Sequence, residues 1–219
     1  MELDPERVRE AVRQWSLSGW PIFGANGHRF VLHPSLPEAE VAAFEQRHGI
    51  TLPADYRHFI TRIGNGGAGP RYGIFPLGQI SSGHKFRPWQ DGDGLVGVLS
   101  EPFPADWNVP LPPNELKKND PAEYERQIKA FEQQFFDSSR VNGAFPICHC
   151  GCGMYVYLVV SGAEAGHLWI DDRSNDRGYL WNAPGATDRG IFPETLKNGE
   201  RATFSSWYCE WLVHPRRSP

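Results

Sequence analysis

The sequence contains no apolar run of about 18 residues, the length that a membrane-spanning helix requires. Its first ten residues mix acidic and basic side chains and lack the apolar segment of a secretory signal. There is no basic excess either, because the formal net charge is −4. That balance argues against a general nucleic-acid binder and permits a basic protein partner. We therefore predict a cytoplasmic protein that binds neither membranes nor nucleic acid.

The motifs of several common catalytic sites are also missing. The chain has no Gly-x-Ser-x-Gly elbow, no phosphate-binding loop and no His-Glu-x-x-His sequence. Its eight histidines are scattered, and none lies at metal-ligand spacing from another. The sequence therefore predicts no catalytic residue and no cofactor, and we do not expect an enzyme.

Cysteine is scarce, and three of the four cysteines, Cys148, Cys150 and Cys152, are crowded together. This is not the pattern of a spaced disulfide framework, so a reducing compartment is expected. In an extended strand these side chains share a face about 6.5 Å apart, too far for one tetrahedral zinc ion without a sharp turn. We interpret them as small buried apolar residues. A metal site completed by His149, His167 or Cys209, or a redox site, is the alternative.

The densest apolar pattern is MYVYLVV at residues 154–160, in which both the odd-numbered and the even-numbered positions are apolar or aromatic. A strand with two apolar faces is buried on both, so we predict a central strand. Gly162 and Gly166 bracket a hairpin loop, and residues 167–171 return as the partner strand. Residues 171–178 are too polar to be buried, so the chain is expected to leave the core there.

Helices are predicted before and after this hairpin, from caps and from apolar spacing. The expected spans are residues 5–17 capped by Asp4, 37–48 with a capping box from Ser35 to Glu38, a helix from Pro53 with an apolar stripe, 121–137 capped by Asp120, and 203–213 capped by Thr203. Short strands are predicted at residues 28–32 and 72–77, and residues 81–120 are expected to hold one or two short strands and a long loop. This order favours a single-domain α+β fold with a largely antiparallel, mixed sheet and helices packed on it.

Three stretches together resemble a known family. They are FE…GITLPADYRHFI…GNGG within residues 44–67, PICH…GCG…LVVSG…GHLW within residues 146–169, and FSSWYCEWL at residues 204–212. The chain resembles the SUKH superfamily, the Smi/Knr-type proteins, over roughly residues 35–213. The resemblance implies a Smi/Knr-like domain at 35–213 with a variable segment at 81–140. Residues 1–34 would form an N-terminal helix and linker, and 214–219 a disordered tail.

The same resemblance implies a function. Bacterial members of the family are implied to be immunity proteins that bind and neutralise polymorphic toxins, often nucleases or deaminases. Fungal members are implied in cell-wall synthesis signalling. No catalytic residues come with the family. We therefore expect a monomer or weak homodimer that binds a toxin domain. A regulatory scaffold is the alternative, and a hydrolase that uses the cysteine cluster or an acidic pocket is another.

Candidate contact residues follow from this expectation. They are Trp169 with the acidic group Asp171, Asp172 and Asp176, together with Trp89 and Trp107 in the variable segment. An acidic loop suits the positive cleft of a nuclease, and an exposed tryptophan suits an interface hot spot. The alternatives are a solvated turn for the acidic group and core packing for the tryptophans.

Overall fold

A computed structural model of the chain describes residues 3–81, 85–89, 94–107, 111–174 and 190–214. Helices lie at both ends of the described chain and a four-stranded sheet lies between them. The α-helices are α1 (Pro5–Leu17), α2 (Ala25–His28), α3 (Glu38–His48), α4 (Ala54–His58), α5 (Leu116–Asn119), α6 (Pro121–Phe135) and α7 (Phe204–Val213). A π-helical turn, Phe59–Ile63, continues α4, and a 3₁₀ turn, Ser138–Val141, follows α6. The predicted α+β class is confirmed.

Every strand pair in the described residues is antiparallel. A two-stranded ribbon pairs β1 (Gln79–Ile80) with β2 (Arg87–Pro88). The larger sheet has the order β3 (Ala144–Gly151), β4 (Met154–Val159), β5 (Leu168–Asp171) and β6 (Ile191–Pro193). Consecutive strands are neighbours, so the sheet is a meander, and a two-residue turn joins β3 to β4.

The central position of β4 confirms the prediction made from its two apolar faces. β4 lies between β3 and β5. Val156 and Leu158 are fully buried in the larger of two apolar clusters. Tyr155, Tyr157 and Val159 are buried in the second cluster, on the other side of the sheet. Alternate residues of one strand therefore anchor both layers of the core.

The larger cluster packs α4 and its π-helical extension against α7. Phe59 lies with its ring centroid 4.9 Å from those of both Phe204 and Tyr208. The Tyr208 hydroxyl donates to the Ala68 carbonyl at 2.7 Å. The predicted apolar stripe after Pro53 is confirmed, since all four of its members are buried: Tyr56, Phe59, Ile60 and Ile63.

The N-terminal helix shares this core. Asp4 caps α1 by accepting from the Arg7 amide at 2.7 Å, as predicted. Val8 and Val12 are buried in the larger cluster. The Trp15 indole donates to the Leu212 carbonyl at 3.0 Å, which ties α1 to the end of α7. Residues from the predicted N-terminal segment are therefore packed into the same core as the rest.

The predicted caps of two later helices are also confirmed. The Asp120 carboxylate accepts from the Glu123 amide at 3.0 Å at the start of α6. Thr203 forms a capping box with Ser206 at the start of α7. The capping box predicted at Ser35 is wrong, because Pro37 occupies the cap position of α3 and makes no side-chain cap hydrogen bond.

Two of the short strands predicted from sequence are also wrong. Residues 25–28 form α2, and beyond it only Leu32 makes an isolated bridge, to Gly67. In the stretch 72–77, Ile74 alone is paired, to Gly67 and Cys148. Gly73 has φ 95° and turns the chain there, so the regular strand forms later, as β1. Among the described residues, no helix is both long and apolar enough to cross a bilayer.

Candidate functional site

A surface cleft of about 480 Å³ lies where four separate segments meet beside the end of β3. Its described lining residues are Asn26, Gly27, Arg29, Tyr72, Phe75, Ser81, Phe86, His149, Gly151 and Cys152. They come from α2 and its C-cap, from the loop before β1, from the β1–β2 ribbon, and from the β3–β4 turn. The cleft is thus assembled by the tertiary fold and not by any one motif.

A row of aromatic rings runs along the cleft. Tyr72 packs between Phe23 and His149, with centroid separations of 5.3 and 5.8 Å. Phe86 packs against Phe75 at 6.0 Å. Tyr72 is 37% exposed and Phe86 is 43% exposed, so large apolar surfaces face solvent. Rigid, partly exposed aromatic side chains supply contact area at low entropic cost, which is typical of protein-binding surfaces.

The backbone around the cleft contains unusual conformations. Among the described residues, the non-glycine residues with positive φ are Arg29, Phe30, Arg71 and Cys152, at 49° to 57°. Two of these line the cleft and the other two adjoin lining residues. The left-handed conformation costs an L-residue roughly 1–2 kcal/mol. Such outliers cluster at functional sites, where the surrounding structure holds them in place.

Glycines let two walls of the cleft touch through their backbones. A Cβ on Gly24 would lie 1.7 Å from the Arg71 carbonyl oxygen. One on Gly27 would lie 2.9 Å from the Tyr72 carbonyl oxygen. The α2 wall and the Tyr72 wall are therefore in direct backbone contact, which fixes the width of the cleft.

The charge of the cleft comes from Arg29, since its other described lining residues include no carboxylate and no lysine. Partial burial lowers the pKa of His149 from its usual value, because desolvation disfavours the imidazolium form. At neutral pH the ring is therefore an uncharged aromatic wall. The described lining thus presents one cation among aromatic and backbone groups.

His28 supports the cleft from behind the α2 wall. Its Nδ1 accepts from the Phe30 amide at 3.0 Å, and its ring meets Trp211 edge-on with centroids 5.8 Å apart. The side chain is buried, and desolvation lowers its pKa to about 4. His28 is therefore neutral in the folded protein at neutral pH.

This burial predicts a pH dependence of stability. The unfolded chain binds a proton at His28 near pH 6.5, whereas the folded chain binds one only near pH 4. Proton binding therefore favours the unfolded chain between these values. The stability associated with a neutral His28 is fully present above pH 6.5 and is lost as the pH falls towards 4. We expect proton binding at His28 in the unfolded chain to lower the free energy of unfolding by roughly 2–3 kcal/mol as the pH falls from 7.5 to 4.5. In His28→Asn the amide oxygen can accept from Phe30 without titrating. Urea unfolding at both pH values should show a smaller drop for this variant, and an equal drop would contradict the assignment.

The acidic group predicted to leave the core is placed differently. Asp171, Asp172 and Arg173 are all buried, so the expectation of a solvated turn is wrong for these residues. Arg173 donates to both carboxylate oxygens of Asp171, at 2.9 and 2.8 Å, and to the Phe135 carbonyl at 3.1 Å. A bidentate ion pair satisfies both charges, which is what allows them to be buried. Asp176 lies outside the described residues.

The three candidate tryptophans lie in different packing environments. Trp169 is buried, 4.9 Å from Phe103 and beneath the Arg201 guanidinium. Trp89 is half-buried against Phe145, at 5.3 Å. Trp107 is half-buried, with the Arg140 guanidinium carbon 3.5 Å above its ring. A partner-binding role for the tryptophans and the acidic residues stays a prediction, and the structure leaves little free area on Trp169, Asp171 and Asp172.

The cysteine cluster divides between the core and the surface. Cys148 and Cys150 are buried in β3, in agreement with their interpretation as core residues. The same interpretation is wrong for Cys152, because the turn after β3 leaves it exposed at the cleft. In the part of the chain that the structure describes, no group of three or more His, Cys, Asp or Glu side chains is arranged to hold a metal ion.

No motif in the sequence points directly to the residues that line the cleft. The sequence predicts short strands over Tyr72 and Arg29, and it predicts mostly loop around Phe86. The only role that the sequence suggests for His149 is that of a possible metal ligand. The one usable signal was the density of glycine and proline around residues 64–76, which predicts turns but not what they enclose.

The comparisons with known proteins point to one family. The sequence model described as "SMI1 / KNR4 family (SUKH-1)" matches residues 35–187, well over half of the chain. The comparison with curated proteins gave no match, and neither did the comparison with solved structures. The matched range includes Tyr72, Phe86 and His149, whereas Arg29 and the rest of the α2 wall precede it.

Proposed function

Because the chain belongs to the SMI1/KNR4 family (SUKH-1), we propose that it is a non-enzymatic protein-binding module of the bacterial cytoplasm. Its partner is a toxin domain, of the nuclease or deaminase type, which it neutralises as an immunity protein. The observation that carries the proposal is the aromatic cleft, with Tyr72 and Phe86 partly exposed on a fixed backbone frame. Family resemblance supports the toxin partner, and the composition of the cleft supports protein binding.

The residue types of the cleft suit the centre of a protein interface. Interface hot spots are enriched in tyrosine, tryptophan and arginine, and interface cores in phenylalanine as well. Tyr72, Phe86 and Arg29 supply these types in one place. The backbone contacts between the walls keep the cleft open before binding, so little ordering is required of this side.

The size of the cleft indicates what it receives. A volume of about 480 Å³ accommodates a few side chains of a protruding loop. A stable interface buries about 800 Å² on each partner, so the surface around the cleft must contribute the remainder. We propose that the cleft anchors one loop of the toxin while the surrounding surface covers its active site. Inhibition is then steric, and the toxin's catalytic residues need not be contacted.

Charge acts at two ranges in this proposal. The net charge of −4 favours approach of a basic toxin over distances comparable to the Debye length. Within the cleft, Arg29 favours an acidic or carbonyl-rich anchor. Raised salt should therefore slow association more than it speeds dissociation.

The proposal is tested with cleft variants. A toxin domain from the same organism is retained on the immobilised protein, and its dissociation constant is then measured by calorimetry. Tyr72→Ala and Phe86→Ala should each weaken binding by about 30-fold, the effect of a hot spot worth about 2 kcal/mol. Phe136→Ala is the matched control, since Phe136 is 49% exposed but does not line the cleft.

Two results would contradict the proposal. One is failure of the protein to retain any toxin domain, including one encoded beside it. The other is a dissociation constant for the Tyr72 and Phe86 variants that equals that of the Phe136 control. Thermal unfolding of each variant should stay close to that of the native protein, because both side chains are partly exposed.

A further inference from the structure

One wall of the cleft is built by a segment that the family match does not cover. The match begins at residue 35, whereas α2 and its C-cap residue, Arg29, precede it. Gly27 and Arg29 line the cleft from this side. The wall that contains Tyr72 lies within the matched range. The α2 wall is therefore a feature of this chain that membership of the family alone does not predict.

The backbone at Arg29 is held in place by its neighbours. The Arg29 amide donates to the Ala25 carbonyl at 2.7 Å, and the Val31 amide donates to the His28 carbonyl at 2.9 Å. Behind this turn, a Cβ on Gly73 would lie 2.8 Å from the Cβ of His28, so the two chains are in close contact. These contacts hold Arg29 at φ 49°, in the left-handed region. The Arg29 side chain therefore starts from a fixed point on the rim of the cleft.

The Arg29 guanidinium is available to a ligand. The guanidinium groups of Arg71 and Arg173 are largely buried against Glu194 and Asp171. Arg29 is exposed, and it forms no ion pair with any carboxylate of the described residues. The described lining of the cleft contains no carboxylate that would compete for it. A guanidinium in this position can donate two parallel hydrogen bonds to one carboxylate of a bound molecule.

We propose that Arg29 makes the cleft selective for a protein segment that carries an aspartate or glutamate next to an apolar side chain. This inference rests on the proposed function, since it names the part of the partner that enters the cleft. The apolar side chain packs on Tyr72 and Phe86, which are both partly exposed, while Arg29 donates to the carboxylate. A neutral or basic segment of the same shape meets the same rings but forms no ion pair. The α2 wall thus discriminates between partners whose shapes fit equally well.

Short peptides test this selectivity without the toxin. The probes are acetyl-Gly-Phe-Glu-Gly-amide and the same peptide with glutamine in place of glutamate. Each is titrated into the isotope-labelled full chain, and the NMR amide signals of Gly27 and Gly151, which line the cleft on different segments, give the dissociation constant. We expect the glutamate peptide to bind about fivefold more tightly, which is the effect of a solvent-accessible ion pair. High salt should remove most of this difference.

Two variants and a control assign the preference to Arg29. Arg29→Gln should bind both peptides equally. Arg29→Lys should keep part of the preference, because it retains the charge but not the two-donor geometry. Arg47→Gln is the matched control, since Arg47 is also exposed but does not line the cleft, and it should keep the full preference. The Arg29 variants should unfold at the same midpoint as the native chain, because the side chain is exposed.

The results that would overturn the inference differ from those that would overturn the proposed function. Equal binding of the two peptides by the native chain, or no shift of either amide signal, would overturn the selectivity of the cleft. So would an equal loss of preference in Arg29→Gln and Arg47→Gln, because the net charge would then set the preference. If a toxin domain is retained and Tyr72→Ala weakens its binding while the peptides bind alike, only this inference fails. If the peptides are distinguished but no toxin domain is retained, only the proposed function fails.

Discussion

Replacing Arg173 with methionine is expected to lower the free energy of unfolding by about 3–5 kcal/mol, the cost of leaving one partner of a buried ion pair uncompensated. The Arg173 and Asp171 side chains are each only 6% exposed. The guanidinium donates to both carboxylate oxygens and to the Phe135 carbonyl, so it joins the end of β5 to the end of α6. Urea denaturation of the native chain and the variant measures the difference.

Two further variants separate the effect of the buried ion pair from other effects of the substitution. The double variant Asp171→Leu with Arg173→Met should be less destabilised than the sum of the single changes, because neither charge is then left unpaired. Arg126→Met is the matched control, since Arg126 pairs with Glu123 on the exposed face of α6. That change should leave the unfolding midpoint nearly unaltered. An Arg173→Met midpoint close to that of the control would contradict a structural role for the buried pair.

The buried pair also shows where the sequence misleads. Asp171, Asp172 and Arg173 form a polar run, and polar runs usually mark the point where a chain reaches solvent. Alternation along the strand end places Asp171 and Arg173 on one side, close enough for a bidentate contact. The spacing was visible in the sequence, but the burial depends on the end of α6 and the residues just after it, which pack over the pair from 36 to 38 residues away. The composition of the polar run alone does not show that a distant helix will cover the ion pair.

The central strand and the main helices were predictable because their signals are local. Apolar residues at both the odd and the even positions of β4 predicted its place in the middle of the sheet. Capping residues at Asp4, Asp120 and Thr203 predicted the starts of three helices. Each of these signals is contained within a few residues. Ser35 shows the limit of such signals. Ser35 and Glu38 match the pattern of a capping box, but Pro37 occupies the cap position of α3.

The cleft was not predictable because it depends on contacts between distant segments. Its walls come from residues 26–29, from Tyr72 and Phe75, from Ser81 and Phe86, and from residues 149–152. Several of its backbone conformations also oppose local preference, because Arg29, Arg71 and Cys152 take left-handed angles that glycine normally supplies. Aromatic side chains in glycine-rich loops have the same pattern in the sequence whether they are packed or exposed. Their exposure is decided only when the loops meet.

Gly67 is the residue on which those loops depend. Its amide donates to the Ile74 carbonyl and its carbonyl accepts from the Ile74 amide, both at 2.8 Å. It also bridges Leu32, while Ile74 bridges Cys148 in β3. The loops around the cleft are thus joined to the sheet through this glycine. Its φ is 95°, and an added Cβ would lie 2.1 Å from the Val31 carbonyl oxygen.

Gly67→Ala is therefore expected to destabilise the protein by about 2–5 kcal/mol. The left-handed backbone contributes about 1–2 kcal/mol, and displacement of the Val31 backbone contributes about 1–3 kcal/mol. Gly199→Ala is the matched control, because Gly199 has φ 84° and nothing within 4 Å of the added Cβ. Only the cost of the left-handed backbone applies there, so Gly199→Ala should lower the free energy of unfolding by about 1 kcal/mol. Equal urea midpoints for the two variants would show that close approach at Gly67 contributes nothing. A larger loss at Gly67, with weaker binding of the proposed toxin partner at temperatures where the variant stays folded, would show that this contact sets the shape of the cleft.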